Sequence, residues 1–286
     1  MIDKLVLGTV QFGLNYGINN SNGMPSEEEV FKILDTAYEN GIYNLDTADA
    51  YGDAISVIGK YHRNSQNKFN ILSKFRSVKF GDIERVVTES LEKLNIDKFQ
   101  VFSYHSFKDY TDEKNLSEDL VKLKVKGLVN KIGISVYTNS ELERVIDESF
   151  IDVIQLPYNI LDNDNIRGQL ISRAKRNGKD VHVRSVFLQG LFFMDFEGFP
   201  HKLIPLKSYI KKIADFCIIE HLSMESLALS YVLFNKSIDQ VLIGIDNKIQ
   251  LEQNLKSIIN NSTAFDFINE NIFVNETELL NPVNWK

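Results

Sequence analysis

An aspartate and a tyrosine five positions apart are the first residues whose types and spacing could support chemistry. The stretch NLDTADAYG, residues 44–52, ends a short apolar run in Asp46 and brings Tyr51 in the loop beyond it. Two later apolar runs also end in polar side chains, Lys74 in NILSKF and His105 in FQVFSYH. A lysine held by an aspartate keeps a positive charge beside a phenol, which should lower the phenol pKa from its usual value of about 10. The set predicts a proton-donating site in which Tyr51 is the acid and His105 orients a carbonyl oxygen or relays the proton.

Each of these residues also has an ordinary structural interpretation. Asp46 and Tyr51 alone could be a helix cap and a packing ring, and His105 could be a satisfied core histidine. Asp46 and Lys74 could form an ion pair without chemistry, but a buried charged pair is costly to keep for stability alone, which favours a functional role. The other histidines are interpreted as surface or helix residues that no metal-ligand spacing links; they are His62, His182, His201 and His221.

Short β-rich apolar runs alternate with segments of helical periodicity along the chain. The predicted strands are 4–9, 43–47, 70–75, 99–105, 131–135, 152–158, 180–186 and 240–245. The predicted helices lie within 26–41, 82–95, 117–127, 140–149, 166–179 and 223–235. The first of these begins with Ser26 and Glu29 in capping-box spacing and ends with Gly41. Strands that are apolar on both faces, with helices as crossovers, are typical of a parallel sheet.

The regular alternation predicts the fold class. Eight βα units without a linker-like stretch favour an α/β architecture with one closed (β/α)8 TIM barrel over residues 1–286. An open dinucleotide-binding sheet would need a Gly-x-Gly-x-x-Gly turn, which the sequence lacks. Residues 187–223 interrupt the alternation and are interpreted as a long loop over the strand ends plus an extra helix near 206–220. After residue 260 we expect a short helix and a loose end.

Composition narrows the partners. The 39 acidic and 32 basic residues give a formal net charge of −7, and no basic block could follow a phosphate backbone, so nucleic acid is not expected as a partner. The single cysteine, Cys217, excludes an internal disulfide and offers no metal cluster. No run of 18 apolar residues and no basic leader is found. These features predict a cytoplasmic protein without a membrane segment or a metal.

Four motifs now support a resemblance to a known family. LGTVQFG, NLDTADAYG, LSKF and SYHSF resemble, in order and spacing, the first strand and the catalytic strands of the aldo-keto reductases, along nearly the whole chain. The resemblance implies a catalytic set of Asp46, Tyr51, Lys74 and His105, with Tyr51 as general acid during reduction of an aldehyde or ketone. It also implies NADP(H) or NAD(H), bound extended across the barrel mouth.

The same resemblance assigns the cofactor residues. Ser135 and Gln155 match positions that hold the nicotinamide carboxamide, and GIDNKIQLEQNL matches the loop that holds the adenosine phosphate and the adenine. The residues implied to bind the cofactor are Thr9, Ser135, Gln155, Arg184, Gly244, Asp246, Lys248, Gln250, Glu252 and Asn254. Two positions depart from the family pattern: Val136 replaces an asparagine, and Arg184 replaces an aromatic residue that stacks on the nicotinamide. Asp246 in place of a basic residue predicts weakened preference for NADPH, although the family habit is NADPH; Asp246 could instead only cap the last helix.

The sequence does not decide the substrate, and it is compatible with two other functions. A sugar or another polar carbonyl compound is expected, with specificity set by loops 12–25, 49–55, 106–115 and 187–205. Candidate walls of the substrate pocket are Phe12, Tyr16, Phe107, Phe187 and Phe192. A cofactor-binding barrel that senses redox state without catalysis is one alternative. The other is a lyase or isomerase that uses Lys74 as a Schiff base, which leaves Tyr51 unexplained.

Overall fold

Eight parallel strands close into a barrel in sequence order, and β1 pairs with β8 at the seam. The computed structural model describes residues 1–18, 20, 23–76, 78, 81–112 and 116–285. The strands are β1 Leu5–Gly8, β2 Asn44–Asp46, β3 Asn70–Phe75, β4 Phe99–Tyr104, β5 Val129–Ser135, β6 Val153–Pro157, β7 Asp180–Arg184 and β8 Gln240–Gly244. The predicted (β/α)8 barrel is confirmed, and every predicted strand is present with ends shifted by no more than two residues.

Side chains of the strands alternate between the inside of the barrel and the surrounding helices, as the two-residue period of a strand requires. Five inward apolar residues form their own buried cluster in the barrel, and they are Val6, Leu72, Val101, Val153 and Leu242. The outward residues join the much larger core between strands and helices. The floor beneath the strand ends is therefore solid and apolar, which leaves the polar chemistry to the residues above it.

Eleven α-helices are found in the described chain. They are α1 Glu27–Glu39, α2 Ala54–Asn64, α3 Ile83–Leu94, α4 Phe107–Asp112, α5 Leu116–Val125, α6 Asn139–Val145, α7 Asp164–Arg176, α8 Ile204–Ile219, α9 Met224–Leu233, α10 Lys248–Lys256 and α11 Ser262–Asn271. The six helices predicted from periodicity are all present. The other five include α8 and α11, which match the helices expected near 206–220 and after residue 260, and α2, α4 and α10, which each follow a strand and are not among the six.

Helix α2 escaped prediction because its local signals are weak. Its N-cap, Asp53, makes no side-chain cap hydrogen bond, and Gly59 lies in the middle of the helix, where glycine is unfavourable. The structure shows why Gly59 is there: a Cβ at this position would overlap the Lys93 carbonyl oxygen at the end of α3. The glycine permits close helix packing, which is a tertiary requirement that periodicity does not report.

The start of α1 shows half of the predicted capping box. Ser26 is the N-cap and its hydroxyl accepts a hydrogen bond from the Glu29 amide, and Gly41 follows the helix at φ 84° as expected. The Glu29 carboxylate does not return to the cap. It accepts instead from the backbone amide of Lys248 at 2.9 Å, so that α1 supplies an acidic group to the first turn of α10.

The segment after β7 contains the predicted loop and extra helix. A 3-10 segment, Leu188–Phe193, is followed by a short 3-10 turn and then by α8, which begins at Ile204 and ends at Ile219. The expected helix after residue 260 is α11, but the loose end is wrong: the Trp285 indole donates to the Leu279 carbonyl at 2.7 Å. Parts of the predicted specificity loops, residues 19, 21–22 and 113–115, lie outside the described residues.

No single helix in the described ranges is both long and apolar enough to cross a membrane. The segments His201–Ile219 and Met224–Leu233 pass that test by length and composition only when they are taken together, and they meet at a bend of 100°.

Candidate active site

A cavity opens at the C-terminal ends of the strands, where barrel enzymes carry their working residues. Most of the predicted site residues line it: Asp46, Tyr51, Lys74, His105, Ser135, Gln155, Arg184, Gly244, Asp246 and Gln250. A larger groove lies along the outer side of α7, at about 620 Å³ against about 260 Å³ for the barrel-mouth cavity. That groove contains no group of acid, base and nucleophile comparable to the strand-end set, so we assign the site to the barrel mouth.

Asp46 and Lys74 form a buried ion pair at the end of β2 and β3. Thr9 fixes the backbone of Asp46, since its hydroxyl and its amide both donate to the Asp46 carbonyl at 3.0 Å. The Gln155 amide donates to the second carboxylate oxygen of Asp46 at 3.0 Å. The Lys74 ammonium also approaches the Thr47 carbonyl at 3.5 Å. Each charged atom is therefore held from several strands, which is the rigid support that a catalytic group needs.

Tyr51 lies close to both the ion pair and the histidine. The Lys74 ammonium is 5.4 Å from the centre of the Tyr51 ring, and the His105 ring is 6.0 Å away and nearly perpendicular to it. Two glycines allow this placement: a Cβ at Gly13 would overlap the Tyr51 carbonyl, and a Cβ at Gly52 would overlap the Gly13 carbonyl. The loop after β1 thus packs directly on the loop after β2 and fixes the tyrosine.

The predicted net lowering of the Tyr51 pKa is wrong, because burial and Asp46 outweigh any contribution of Lys74. Burial raises the pKa of the Tyr51 phenol well above its ordinary value, and the Asp46 carboxylate raises it further. Lys74 is bound to Asp46, so the phenol meets a neutralised pair and a low-dielectric wall rather than a free cation. The consequence is a phenol that stays protonated far into alkaline conditions and can act as a donor at any physiological pH.

His105 follows β4 directly, and its amide donates to the Phe75 carbonyl at 2.9 Å. Burial lowers the pKa of its imidazole to about 3, assisted by the charges of Lys74, Arg76 and Arg184. The ring is therefore neutral at physiological pH, and its buried Nδ1 has no hydrogen-bond partner in the described structure. A neutral imidazole with one N–H can donate one hydrogen bond to a carbonyl oxygen without carrying a charge.

His182 corrects the interpretation of the remaining histidines. It is not a surface or helix residue but lies in β7, almost fully buried inside the barrel, next to Gln155 in the strand register. Burial lowers the pKa of His182 to about 4. His62 is on a helix as expected, yet it is buried, and its Nδ1 lies 2.8 Å from the Leu94 carbonyl.

Arg184 stands at the end of β7 with its guanidinium over the Tyr137 ring, 4.1 Å from the ring centre. One Nη donates to the Val136 carbonyl at 3.3 Å and the other to the Ser185 hydroxyl at 3.4 Å. Val136, which replaces the expected asparagine, is buried and contributes only its backbone here. No carboxylate pairs with Arg184 among the residues described.

The last strand-to-helix loop brings together only part of the predicted cofactor set. Asn247, not Asp246, caps α10, so the alternative in which Asp246 is the helix cap is wrong. Asp246 instead faces Gln11 and Gln250, whose side chains hydrogen-bond to it, while burial raises the pKa of its carboxyl. Gly244 permits this arrangement, since a Cβ there would lie 2.5 Å from the Gln11 amide nitrogen.

Four of the predicted cofactor residues do not line the cavity. Thr9 is used by the Asp46 backbone, and Asn254 is buried on α10. Lys248 and Glu252 form an exposed pair on the same helix, with 3.5 Å between the ammonium and the carboxylate. Lys248, the one basic residue in GIDNKIQLEQNL, is therefore neutralised by Glu252 on the same helix.

The cavity wall differs from the predicted one. Tyr16 and Phe187 line it as expected, whereas Phe12, Phe107 and Phe192 are buried in the core. The lining residues that sequence reasoning missed are Gln11, Tyr137, Gln189 and Phe193. Tyr137 could have been found, because it lies two positions after Ser135 at the end of a predicted strand; Phe193 could not, because the backbone turns at Gln189 and Gly190 decide which phenylalanine faces inwards.

The cavity offers unpaired polar atoms that fit a nicotinamide dinucleotide. The buried Gln155 Oε1 has no partner in the described chain and is an acceptor for a carboxamide N–H group. At the other end, the buried Asp246 Oδ1 has none either and is an acceptor for a ribose hydroxyl. Because Gln155 and Asp246 line the same cavity, one bound molecule can contact both. We find no group of three or more metal-ligating side chains within the described ranges.

Comparison with known proteins agrees with this geometry. The model of the Aldo/keto reductase family matches residues 4–267. L-Galactose dehydrogenase of Arabidopsis thaliana is 28% identical over 274 residues, covering 89% of this chain and 85% of the plant protein. D-threo-Aldose 1-dehydrogenase of a Pseudomonas species is 22% identical, covering 84% and 87% of the two chains. Among solved structures, the glycerol dehydrogenase of Gluconobacter oxydans has a TM-score of 0.74 at 17% identity, covering 93% of this chain and 90% of that one. The structural similarity shows that the fold is shared.

Proposed function

This chain belongs to the aldo-keto reductase family, and we propose that it interconverts a carbonyl compound and its alcohol with a nicotinamide dinucleotide as redox partner. The observation that carries the proposal is the placement of Tyr51, whose ring centre lies 5.4 Å from the ammonium of the buried Asp46–Lys74 pair and 6.0 Å from the ring of the neutral His105. This arrangement supplies one proton donor and one neutral hydrogen-bond donor at a single point of the cavity.

The residues of the chain act on the carbonyl oxygen. Tyr51 donates its phenolic proton to that oxygen, which becomes an alkoxide as the carbon is reduced. An alkoxide is a stronger base than a phenolate, so the transfer stays favourable even though burial raises the pKa of Tyr51. His105 orients the same oxygen through its remaining N–H. Because the pKa of His105 is lowered, the imidazole adds a dipole rather than a competing acid.

Lys74 and Asp46 act through Tyr51 and the barrel frame. A negative charge develops on the Tyr51 oxygen as its proton leaves, and the Lys74 ammonium, 5.4 Å from the centre of that ring, stabilises it. Asp46 holds the ammonium in place through contacts that come from β1, β2 and β6. The pair therefore serves the transition state, in which charge is present, more than the resting phenol.

A nicotinamide dinucleotide, when bound, would supply hydride-transfer chemistry at the carbonyl carbon in either direction. We assign Gln155 and Ser135 to its carboxamide, and Asp246 with Gln250 to its adenosine half. Glu29 adds a second carboxylate beside the first turn of α10, where Lys248 is already paired with Glu252. Two acids and one neutralised base favour ribose hydroxyls over a 2′-phosphate, which supports use of NADH, or at least loss of a strong preference for NADPH.

A sugar or another polar carbonyl compound is the substrate class we assign. The relatives named L-galactose dehydrogenase and D-threo-aldose 1-dehydrogenase carry sugar substrates in their names, and both cover most of this chain. The cavity wall agrees with such a substrate because it joins aromatic faces, from Tyr16, Phe187 and Phe193, to hydroxyl and amide groups. Aromatic faces with polar neighbours suit the apolar faces and hydroxyl edges of a sugar ring.

The two alternative functions have less support. A Schiff base needs a free amine, whereas the Lys74 nitrogen is bound by the Asp46 carboxylate and close to a backbone carbonyl. A sensor without catalysis would not need the complete set of Asp46, Tyr51, Lys74 and His105 at one cavity. Borohydride trapping of substrate on Lys74 would revive the first alternative, and cofactor binding without turnover of any carbonyl compound would favour the second.

The deciding experiment is a turnover screen with NADH and NADPH against sugars, simple aldehydes and ketones, followed by the alcohols with the oxidised cofactors. We expect reduction of several carbonyl compounds and oxidation of the matching alcohols. The matched controls are Tyr51→Phe, which removes the proton donor, and Tyr38→Phe on α1, which removes a hydroxyl outside the cavity. Equal turnover in the three proteins would contradict the proposal.

A further inference from the structure

Arg184 is the one cation among the described lining residues that no carboxylate neutralises. Asp46 and Lys74 neutralise each other, and the neutral His105 carries no charge. Asp246 has a raised pKa and is hydrogen-bonded by two glutamine side chains. Arg184 alone among the described lining residues is a permanent cation that no carboxylate contacts.

The nearest acid cannot serve as its partner. Burial raises the pKa of Asp162, and Arg167 and, to a smaller extent, Arg184 oppose that rise; both carboxylate oxygens are taken by Arg167, at 2.7 and 2.8 Å. This second pair is almost completely buried. Asp162 is therefore fully used away from the cavity, and the positive charge of Arg184 is left facing the space where substrate binds.

The guanidinium is also held in a fixed orientation. The ring of Tyr137 covers one of its faces, and the Val136 carbonyl and the Ser185 hydroxyl each take one N–H. Three of its five N–H groups remain free for a ligand. Tyr137 is fixed in turn, because Arg167 donates to its carbonyl at 2.8 Å.

The backbone after Arg184 is adapted to this position. Ser185 has φ 63°, in the left-handed region that non-glycine residues rarely adopt, and its carbonyl accepts from the buried Asn159 side chain at 3.0 Å. Such conformations persist where the surrounding structure enforces them, and they cluster at functional sites. The chain thus bends sharply just after β7 and leaves the guanidinium at the cavity wall.

We propose that the substrate carries a carboxylate in addition to its carbonyl group, and that the free edge of the Arg184 guanidinium binds that carboxylate. A planar guanidinium with parallel free N–H groups matches the two oxygens of a carboxylate. The overall charge of the chain is −7, so attraction of an anion must come from such a local cation. The inference rests on the proposed carbonyl reduction and names the substrate class of the same site.

The test compares matched pairs of carbonyl compounds. Succinic semialdehyde and its methyl ester form one pair, and glucuronate and glucose form another; each pair differs in one carboxylate. The measurement is the ratio of kcat/KM for the acid to kcat/KM for its neutral partner, in wild type and in Arg184→Gln, Arg184→Lys and Arg173→Gln. Arg173 lies on the outer side of α7, so Arg173→Gln removes the same charge far from the cavity.

We expect wild type and Arg173→Gln to favour the acid, Arg184→Gln to lower that ratio about 10- to 100-fold, and Arg184→Lys to retain part of it. A wild-type ratio near one, or an unchanged ratio in Arg184→Gln, would overturn the inference while leaving carbonyl reduction intact. Cofactor affinity is measured in parallel by fluorescence: a fall in affinity that accounts for the whole loss with both partners would assign Arg184 to a cofactor anion and overturn the inference too. If no carbonyl compound is reduced by wild type, the proposed function itself fails, and this inference with it.

If Arg184→Gln does not fold, the wild-type ratio and the Arg184→Lys variant still decide the question. The lysine retains the charge and lacks the planar pair of donors, so it should keep a preference for the acid that is smaller than in wild type.

Discussion

Lys74 and Asp46 are bonded to each other with only 5% and 4% of their side chains exposed, directly beside the ring of the proposed proton donor. Each charge is tolerable in this position because the other is present. The pair therefore ties the stability of the barrel to the same two residues for which we propose a role in the reaction.

Lys74→Met should destabilise the protein by about 3–5 kcal/mol, because it leaves the Asp46 carboxylate buried without its counter-charge. The double variant Asp46→Asn with Lys74→Met should lose less unfolding free energy than Lys74→Met alone, since it removes both charges. Urea unfolding of the wild type, both single variants and the double variant measures the coupling. A Lys74→Met protein within about 1 kcal/mol of wild type would show that the pair is not buried as described.

Tyr51→Phe should lower turnover by roughly 10²- to 10⁴-fold, the usual contribution of a positioned general acid. Cofactor binding, followed by quenching of its fluorescence, should remain close to that of wild type because the phenol hydroxyl is not among the groups assigned to the dinucleotide. Wild-type turnover in this variant would remove Tyr51 from the mechanism.

The pH dependence should differ between the two directions. Reduction needs a protonated Tyr51 and a neutral His105; the first has a raised pKa and the second a pKa of about 3. The rate of reduction should therefore be flat from about pH 5 to about pH 9, whereas oxidation, which needs the phenolate as base, should rise throughout. Initial rates in both directions test this. A limb in reduction near pH 7 that disappears in His105→Gln would contradict the assignment of a neutral imidazole.

Cofactor preference should respond to the acids beside α10. Asp246→Arg should shift the ratio of the two dissociation constants towards NADPH by at least about tenfold, and Glu29→Gln by less, because each removes a repulsion of the 2′-phosphate. Asp215→Arg, an equal change of charge on α8, is the control. Titration of NADH and NADPH into each protein supplies the numbers. Strong NADPH preference in wild type, unchanged in Asp246→Arg, would mean that these acids do not face the phosphate.

Folding stability should fall in mild acid partly through His182. Its pKa is about 4 in the folded chain against 6.5 for an ordinary histidine, so the unfolded chain binds more protons between these values. The stability contributed by neutral His182 is complete above about pH 6.5 and is lost as the pH falls, to the extent of about 2–3 kcal/mol near pH 4. Between about pH 7.5 and about pH 4, the free energy of unfolding of His182→Leu should therefore fall by about 2–3 kcal/mol less than that of wild type, as measured by urea unfolding. Parallel losses in both proteins would contradict the lowered pKa.

Much of the fold and many of the residues that line the cavity could be predicted from sequence because both depend on short-range patterns. The apolar runs fix the strands, and a polar residue at the end of a run falls at the barrel mouth once the strands are parallel. Asp46, Lys74, Gln155 and Arg184 reach the cavity for that reason. Helix α2 is an exception, because Gly59 weakens its helical periodicity while permitting close packing on α3.

The parts that sequence reasoning missed depend on long-range contacts. The pKa of Tyr51 is set by burial and by Asp46, neither of which spacing can weigh against Lys74. Glu29 reaches α10 across 219 positions of sequence, and Tyr137 meets Arg184 across the barrel wall. Phe193 replaces Phe192 in the cavity because left-handed turns at Gln189 and Gly190 rotate the chain. Such relations follow from the assembled barrel.

The pairing of β1 with β8 also determines when, during synthesis and folding, the protein could bind the proposed dinucleotide. Gly8 pairs with Gly244, so residues near the first and the last strands must meet before Gln11 can contact Asp246. A chain emerging from the ribosome holds Tyr51, Lys74 and His105 long before β8 is synthesised. Until then β1 and β7 are open sheet edges, which are sites of non-native pairing. Dinucleotide binding would therefore report closure of the ring, the last step of maturation rather than an early one.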